Sequence, residues 1–449
     1  MTTRAVVAKA LAQAFLSGEW HWRVMLARGL AVLPAATPKL RDAVFDVLAQ
    51  WPHPPLDDEP ALERYLDEGL AWRWPQRRMV RHRGHPPEWE PPRLRRWLPF
   101  TAEMKAGRWP VRLAGTVQEL EAWLELDEGL LAWLADRRGL NRLAPPGPLH
   151  HYRVAWRARP GRLPRLLEAP APRLKGVQRK ILREVLDRIP PHDAAHGFVR
   201  GRSVLTHAAL HQGQRVVARV DLDSFFTHVP TARALGLFRT VGYPPEVATT
   251  LLALCTTRTP ERVLREAPVE ASLLNEYFFL RRRLSGWHLP QGAPTSPALA
   301  NLVCFSLDQR LSCLAAHLGA EYSRYADDLV FSGARLPLAV LLTQVGVICR
   351  DEGFRVNSHK TRVMRAHRRQ EVTGLVLNQG ARVPREERDR LKATLHRLVV
   401  RGEPVEPAVL ATLRGRVAWV RQVQPAHAAK LEELLGRIRA DRQAGHEPQ

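Results

Sequence analysis

The chain is poor in cysteine: four in 449 residues, at positions 255, 304, 313 and 349, with no Cys-x-x-Cys pair among them. This excludes a thiolate zinc site and a disulfide framework, so the four read as small buried hydrophobes of a reducing compartment. No apolar run approaches the ~20 residues that a membrane helix needs. Residues 1–16 are a basic amphipathic stretch without the apolar centre of a signal peptide. The expectation is a cytoplasmic protein with no membrane partner. Lysine is scarce too, at 8 against 60 arginines, so a lysine at a chemically sensitive position is more telling than an arginine there. The N-terminal third lacks surplus charge: residues 1–148 hold 21 basic and 18 acidic side chains.

What the chain has in excess is positive charge elsewhere. Of a formal net charge of +23, all but three units fall in residues 149–449. A surplus so placed is the electrostatic footprint of a polyanion, most simply nucleic acid. A general arginine bias would not spare one third of the chain. With 45% hydrophobic residues, the protein can bury a large core and divide into two or three domains.

The pattern along the chain predicts three parts. Residues 1–115 are a helical extension of unknown role, with helices over 4–16, 39–49 and 61–70 and a proline-broken segment at 85–92. Residues 116–380 mix helix and strand. A hairpin spans 152–169 and turns at Pro160-Gly161, two helices follow with 178–189 the clearer, and a β-branched strand covers 215–220. A long helix starts at Ser296, its expected N-cap, and runs to about Leu318. Further on come a helix over 337–352, a strand near 354–356 and another over 373–377. Residues 381–449 carry three basic helices, roughly 385–401, 407–423 and 426–442, and a frayed tail.

The most informative stretch is Tyr325-Ala-Asp-Asp328, read as the tight turn of a hairpin. Adjacent carboxylates repel unless a cation sits between them, and a hard dication takes oxygen ligands of this kind. Asp221, at the end of the 215–220 strand, supplies a third. Three aspartates from two places in one sheet can hold two Mg²⁺ ions, one activating a 3′-hydroxyl and one neutralising pyrophosphate; Mn²⁺ is the alternative ion. Because successive side chains of a strand point to opposite faces, Asp327 is expected to bridge both ions with Asp221, and Asp328 to be auxiliary. Asp223 is the decoy, since the chain is already turning there.

The order Asp221-Leu-Asp-Ser-Phe-Phe226, Leu289-Pro-Gln-Gly292, Tyr325-Ala-Asp-Asp328 and Gly353-Phe-Arg-Val-Asn-Ser-His-Lys360 resembles a reverse transcriptase. Within that family the chain is similar to bacterial retron enzymes. Leu174–Ile181 and His196–Ser203 resemble their fingers, Val372-Thr-Gly374 their Val-Thr-Gly element, and His207-Ala-Ala-Leu-His211 their Asn-Ala-x-x-His element, with His207 in place of Asn. The resemblance covers roughly residues 116–425. It implies an α+β right-hand polymerase with fingers, a ferredoxin-like palm and a three-helix thumb at 381–449.

The resemblance also assigns roles. Phe226 is the aromatic gate that selects dNTPs, with Phe225 the core residue. Gln291 contacts the incoming nucleotide, and Arg165 clamps its triphosphate, assisted by Arg157 or Arg159. Lys360 protonates pyrophosphate, which an arginine could not do. Thr373, Gly374, Arg414 and Arg416 contact RNA. For His211, an RNA contact and a satisfied core histidine stand side by side.

The implied function is RNA-directed DNA synthesis from dNTPs on a structured noncoding RNA. The RNA primes from an internal 2′-hydroxyl to give a short branched RNA-linked DNA, in anti-phage defence with an effector protein as partner. The alternatives are the reverse transcriptase of an intron or a diversity-generating element, and a non-catalytic RNA-binding scaffold.

Overall fold

Four helices, Arg4–Leu16, Trp22–Val32, Thr37–Gln50 and Glu59–Arg73, begin the chain. Their apolar stripes close on a core of their own around Leu11, Phe15, Met25, Leu40, Val44 and Leu62. Arg4 ties the first to the fourth through Asp67 at 2.8 Å. The second helix is one that the periodicity missed. The computed structural model of the chain describes residues 4–16, 20–33, 37–52, 54–55, 59–73, 94, 104, 107–144, 147 and 149–438. The expected proline-broken segment at 85–92 and the tail at 443–449 therefore lie outside the described residues.

The chain divides into two compact units, residues 1–190 with 226–303, and residues 191–225 with 304–449. In the first, Val117–Leu124 and Glu128–Ala135 are short helices capped by the side chains of Thr116 and Asp127. Strands β1 (Tyr152–Arg159) and β2 (Arg162–Pro170) form the expected hairpin, with Gly161 at φ +66° in the turn. The next helix is Pro172–Glu184, which starts where Pro172 sets its first turn. The expected extension to Ile189 is instead a 3₁₀ turn at Leu186–Arg188: Val185 leaves helical dihedrals at φ −123° and ψ −66°, and Pro190 keeps Ile189 extended.

The second unit is built on an antiparallel sheet of β3 (Val216–Leu222), β4 (Glu321–Tyr325), β5 (Asp328–Gly333) and β6 (Val356–Arg365), in the order β4-β5-β3-β6. The long helix expected from Ser296 is two, Ser296–Val303 at the end of the first unit's chain segment and Phe305–His317 in the second, broken at Cys304. Ser296 is not the N-cap: Leu299 N–H already donates to Thr295 O, and the Ser296 hydroxyl donates to Pro290 O. The strand expected over 373–377 is a small hairpin of β7 (Glu371–Val372) and β8 (Leu375–Val376). Thr373 and Gly374 both have positive φ in its turn, the signature of a tight two-residue connection. Helices Arg385–Arg401, Pro407–Val423 and Pro425–Gly436 pack through Leu391, Leu395, Leu413, Val417 and Leu431 into a core that includes Val217 of β3 and Val330 of β5.

Candidate active site

Asp221 and Asp328 are direct cross-strand partners of β3 and β5, so their side chains share one face of the sheet. Tyr325 pairs with Asp328 across the hairpin, leaving Ala326 and Asp327 as its two-residue turn. Ala326 takes φ +56° there. The turn is fixed to the end of β3 by Leu222 N–H, which donates to Asp327 O at 2.9 Å. The three expected aspartates thus belong to neighbouring strand ends and the turn that joins them. Asp223 lies past the end of β3 and accepts from its neighbour Ser224.

Each buried carboxylate has a cationic partner. Arg219, two residues before Asp221 on the same face, donates from Nε and Nη2 to Oδ1 and Oδ2 of Asp328 at 2.8 and 2.7 Å. Lys360 Nζ donates to Asp221 Oδ1 at 2.7 Å. Lys360 can turn inward because β6 bulges there: Arg219 pairs with Arg362 but Asp221 pairs with Asn357, so the ladder slips around Lys360. Asp327 makes no side-chain hydrogen bond or ion pair among the described residues.

The electrostatics show why cations are needed. Burial pushes the Asp328 carboxyl up to about 6, with Arg219 opposing the rise and the charges of Asp327 and Asp221 adding to it. Burial also raises Asp221, against the hydrogen bond from Lys360. Oxygen donors whose ionised form is disfavoured by burial and by each other suit a hard dication. Among the described residues no three acidic, histidine or cysteine side chains form a ready-made metal cluster, and here Lys360 and Arg219 provide the counter-charge.

Behind the hairpin lies a set of residues that the sequence reading missed. Arg324 and Asp308 are fully buried and paired through two hydrogen bonds of 2.8 and 2.7 Å. Tyr322 hydroxyl donates to the same Asp308, and Arg324 Nη1 reaches Ala326 O in the turn at 3.2 Å. The segment 194–197 pairs beside β4: Arg324 N–H donates to Ala194 O and His196 N–H to Arg324 O. The only signal for this in the sequence was an arginine at an inward position of β4.

Of the two readings of His211, its surroundings are those of the core histidine. It has no exposed surface, and its ring nitrogens lie 2.7 Å from Ser332 Oγ and 2.7 Å from Ser323 Oγ. It joins the two strands of the Asp-Asp hairpin. His207, where the resemblance has Asn, is equally buried and bonds Ser323 Oγ at 2.7 Å. Gly374 is exposed and Thr373 half-buried at the β7–β8 turn, while Arg414 and Arg416 are exposed on the helix Pro407–Val423.

In the first unit, Arg157 and Arg165 face each other directly across β1 and β2, and both are exposed. Like charges so placed are unfavourable without an anion between them. Arg159 is turned onto Leu163 O of its own hairpin. Gln291 adjoins β2: Glu168 N–H donates to its carbonyl at 2.9 Å. A side chain on Gly292 would come within 2.9 Å of Glu168 O, so only glycine allows this approach. Phe226 is half-buried on the turn of helix Phe225–His228. Phe225, in the second unit, is buried and stacks on Phe354 at 5.8 Å.

Residues 161–378 match the family model described as reverse transcriptase (RNA-dependent DNA polymerase). The chain is 36% identical to the retron Mx162 reverse transcriptase of Myxococcus xanthus, over 98% of this chain and 91% of that protein. It is 39% identical to the retron Mx65 reverse transcriptase of the same organism over 75% of each chain. Against the retron Ec86 reverse transcriptase of Escherichia coli it is 30% identical, over 61% of this chain and 78% of that one.

Proposed function

The chain belongs to the retron reverse transcriptases and is an RNA-directed DNA polymerase, and from that premise we propose that it extends DNA by two-metal-ion phosphoryl transfer on a cognate noncoding RNA. Asp221 and Asp327 hold the ions and Asp328 assists, with Mg²⁺ as the ion and Mn²⁺ as its substitute. When bound, these ions acidify the attacking 3′-hydroxyl and neutralise the leaving pyrophosphate. The observation that carries the reading is the cross-strand pairing of Asp221 with Asp328 beside the Asp327 turn. The asymmetry has a physical basis: Asp328 is engaged on both oxygens by Arg219, whereas Asp327 is not.

The chain's own side chains supply the remaining chemistry. Lys360 carries an exchangeable proton at the edge of the carboxylate cluster and delivers it to pyrophosphate. Arg165 and Arg157, as a cross-strand pair, take the dNTP triphosphate between them. Gln291 contacts the nucleotide, and Phe226 excludes a 2′-hydroxyl. Arg414 and Arg416 grip phosphates of the template–primer duplex as part of a thumb formed by residues 381–449. Thr373 and Gly374 present a tight turn to the RNA. Residues 116–380 form fingers and palm, and residues 1–115 an extension.

The product proposed is a short single-stranded DNA linked to its RNA through a 2′-hydroxyl, made in the cytoplasm for anti-phage defence with an effector protein. Primer extension tests the chemistry. Asp327→Asn should abolish dNTP incorporation and Asp328→Asn should weaken it; unchanged incorporation in both would sink the two-ion reading. Sequencing the nucleic acid that co-purifies with the protein tests the product. A DNA covalently joined to RNA is expected, and a spliced intron lariat would exclude it.

A further inference from the structure

The first unit contains a second concentration of positive charge, inside a cavity. Its walls include Asp136, Arg142, His150, His151, Arg258 and Arg262. Three buried nitrogens without a hydrogen-bond partner line it together: Arg142 Nε, His151 Nε2 and Arg262 Nε. An arginine Nε always carries a proton, so at least two of these are N–H donors with no acceptor. A buried donor left this way is costly, and native interiors rarely leave several in one place.

The neighbouring acids are already committed. Asp136 accepts N–H bonds from Leu140 at 2.8 Å and Asn141 at 3.0 Å. Glu168 accepts from Thr259 Oγ1 and from His288 Nε2, both at 2.8 Å. Arg258 is held by Ser285 O and lies over Trp287, and Arg262 Nη2 is 2.9 Å from His150 Nε2. Arg142, Arg258 and Arg262 thus line the cavity with two carboxylates, Asp136 and Glu168, that other donors already engage, and the N–H groups of Arg142 Nε and Arg262 Nε remain unused. Guanidinium forks match phosphate oxygens in both charge and geometry.

We propose that this cavity is a phosphate-binding site, whose ligand is a phosphate oxyanion either of bound RNA or free in solution. The cavity shares no lining residue with the Asp221–Asp327–Asp328 cluster or with the exposed Arg157–Arg165 pair. It deepens the polymerase reading, on which the RNA source rests, by giving the RNA a phosphate anchor in the first unit.

The test uses the full chain and two probes. In one arm, the affinity of a fluorescein-labelled RNA hairpin is followed against KCl concentration. Arg142→Gln with Arg262→Gln should weaken binding roughly tenfold and flatten the slope of log Kd against log[KCl] by about one. In the other arm, inorganic phosphate should raise the melting temperature of the wild type, at matched ionic strength, by more than that of the variant. A change in the first arm assigns the phosphate to RNA, and a change in the second alone assigns it to a free ion. Unchanged slope and melting response in both arms would mean that the cavity holds water only, and would overturn the proposal.

Arg142→Gln alone, which leaves the Arg262–His150 contact in place, guards against a folding defect in the double variant. Both arms read binding, so they are repeated on Asp327→Asn. That protein should lose incorporation and keep the phosphate site, which separates failure of the catalytic reading from failure of this one.

Discussion

Arg219 holds both carboxylate oxygens of Asp328 from the neighbouring strand, at 2.8 and 2.7 Å. The Asp328 side chain is 12% exposed, so removing its partner leaves a nearly buried charge uncompensated. Arg219→Gln should therefore destabilise the metal-free protein by about 2–3 kcal/mol, below the full cost of breaking a buried pair because Arg219 itself is partly solvated. Adding Asp328→Asn should restore most of the loss. Urea denaturation of the single and double variants measures this. A double variant no more stable than Arg219→Gln would show that Arg219 acts through packing and not as a counter-charge.

Gly197 is predicted to be intolerant of any side chain. A Cβ there would stand 2.7 Å from Ala326 N and 3.3 Å from Tyr325 C, and what it meets is backbone of the catalytic turn. Gly197→Ala must push Asp327 away from Asp221 or distort the 194–197 segment. It should lower incorporation at least tenfold while costing only about 1–3 kcal/mol of stability. Primer extension and thermal melting read the two effects separately. Full activity would mean that the turn is not rigidly placed.

The chemistry at this site was legible because it is written in short stretches. Asp221 ends a β-branched strand and Tyr325–Asp328 forms a two-residue turn, so local pattern alone brought the carboxylates to strand ends. What supports them was not legible. Arg219 and Asp328 are 109 residues apart, Asp308 and Arg324 belong to a helix and a strand, and each pair becomes visible only when the sheet register is known. The break at Cys304 was hidden because apolar spacing runs through it, with Leu299, Leu302, Leu307 and Leu311 all buried. Thr373–Leu377 looked like one strand because Thr373 is a good strand former, yet its positive φ and that of Gly374 turn the chain back. His211 fell on the side of the core because two serines of the hairpin, invisible as partners in the sequence, satisfy both its nitrogens.

The Arg157–Arg165 pair should separate binding from stability. Arg165→Ala should raise KM for dNTPs about tenfold, the loss of one charge-assisted contact. Because the two cations repel across the ladder, the same substitution should leave the hairpin unchanged or stabilise it by about 0.2–1 kcal/mol. Steady-state kinetics and melting on one preparation test both. A higher KM together with a lower melting temperature would point to a structural role instead.

The buried histidines predict acid sensitivity with a defined window. Burial depresses His207 to about 2, aided by His211, His196 and Arg219, and depresses His211 to about 3. Both are neutral in the fold, whereas in the unfolded chain they take up protons below their ordinary value of about 6.5. A depressed folded pKa gives stability that is complete above the unfolded pKa and lost as pH falls toward the folded one. Each histidine should therefore cost about 1.4 kcal/mol per pH unit below 6.5, or about 2 kcal/mol at pH 5. His207→Asn keeps a hydrogen-bonding group beside Ser323 but cannot titrate. The stability lost by wild type between pH 7 and pH 5 should exceed that lost by His207→Asn by about 2 kcal/mol, and urea midpoints at the two pH values measure the difference. His211 and the other histidines are common to both proteins and cancel in the comparison. Equal losses in the two proteins would mean that His207 is already protonated in the fold, and that its bond to Ser323 is made by a cation.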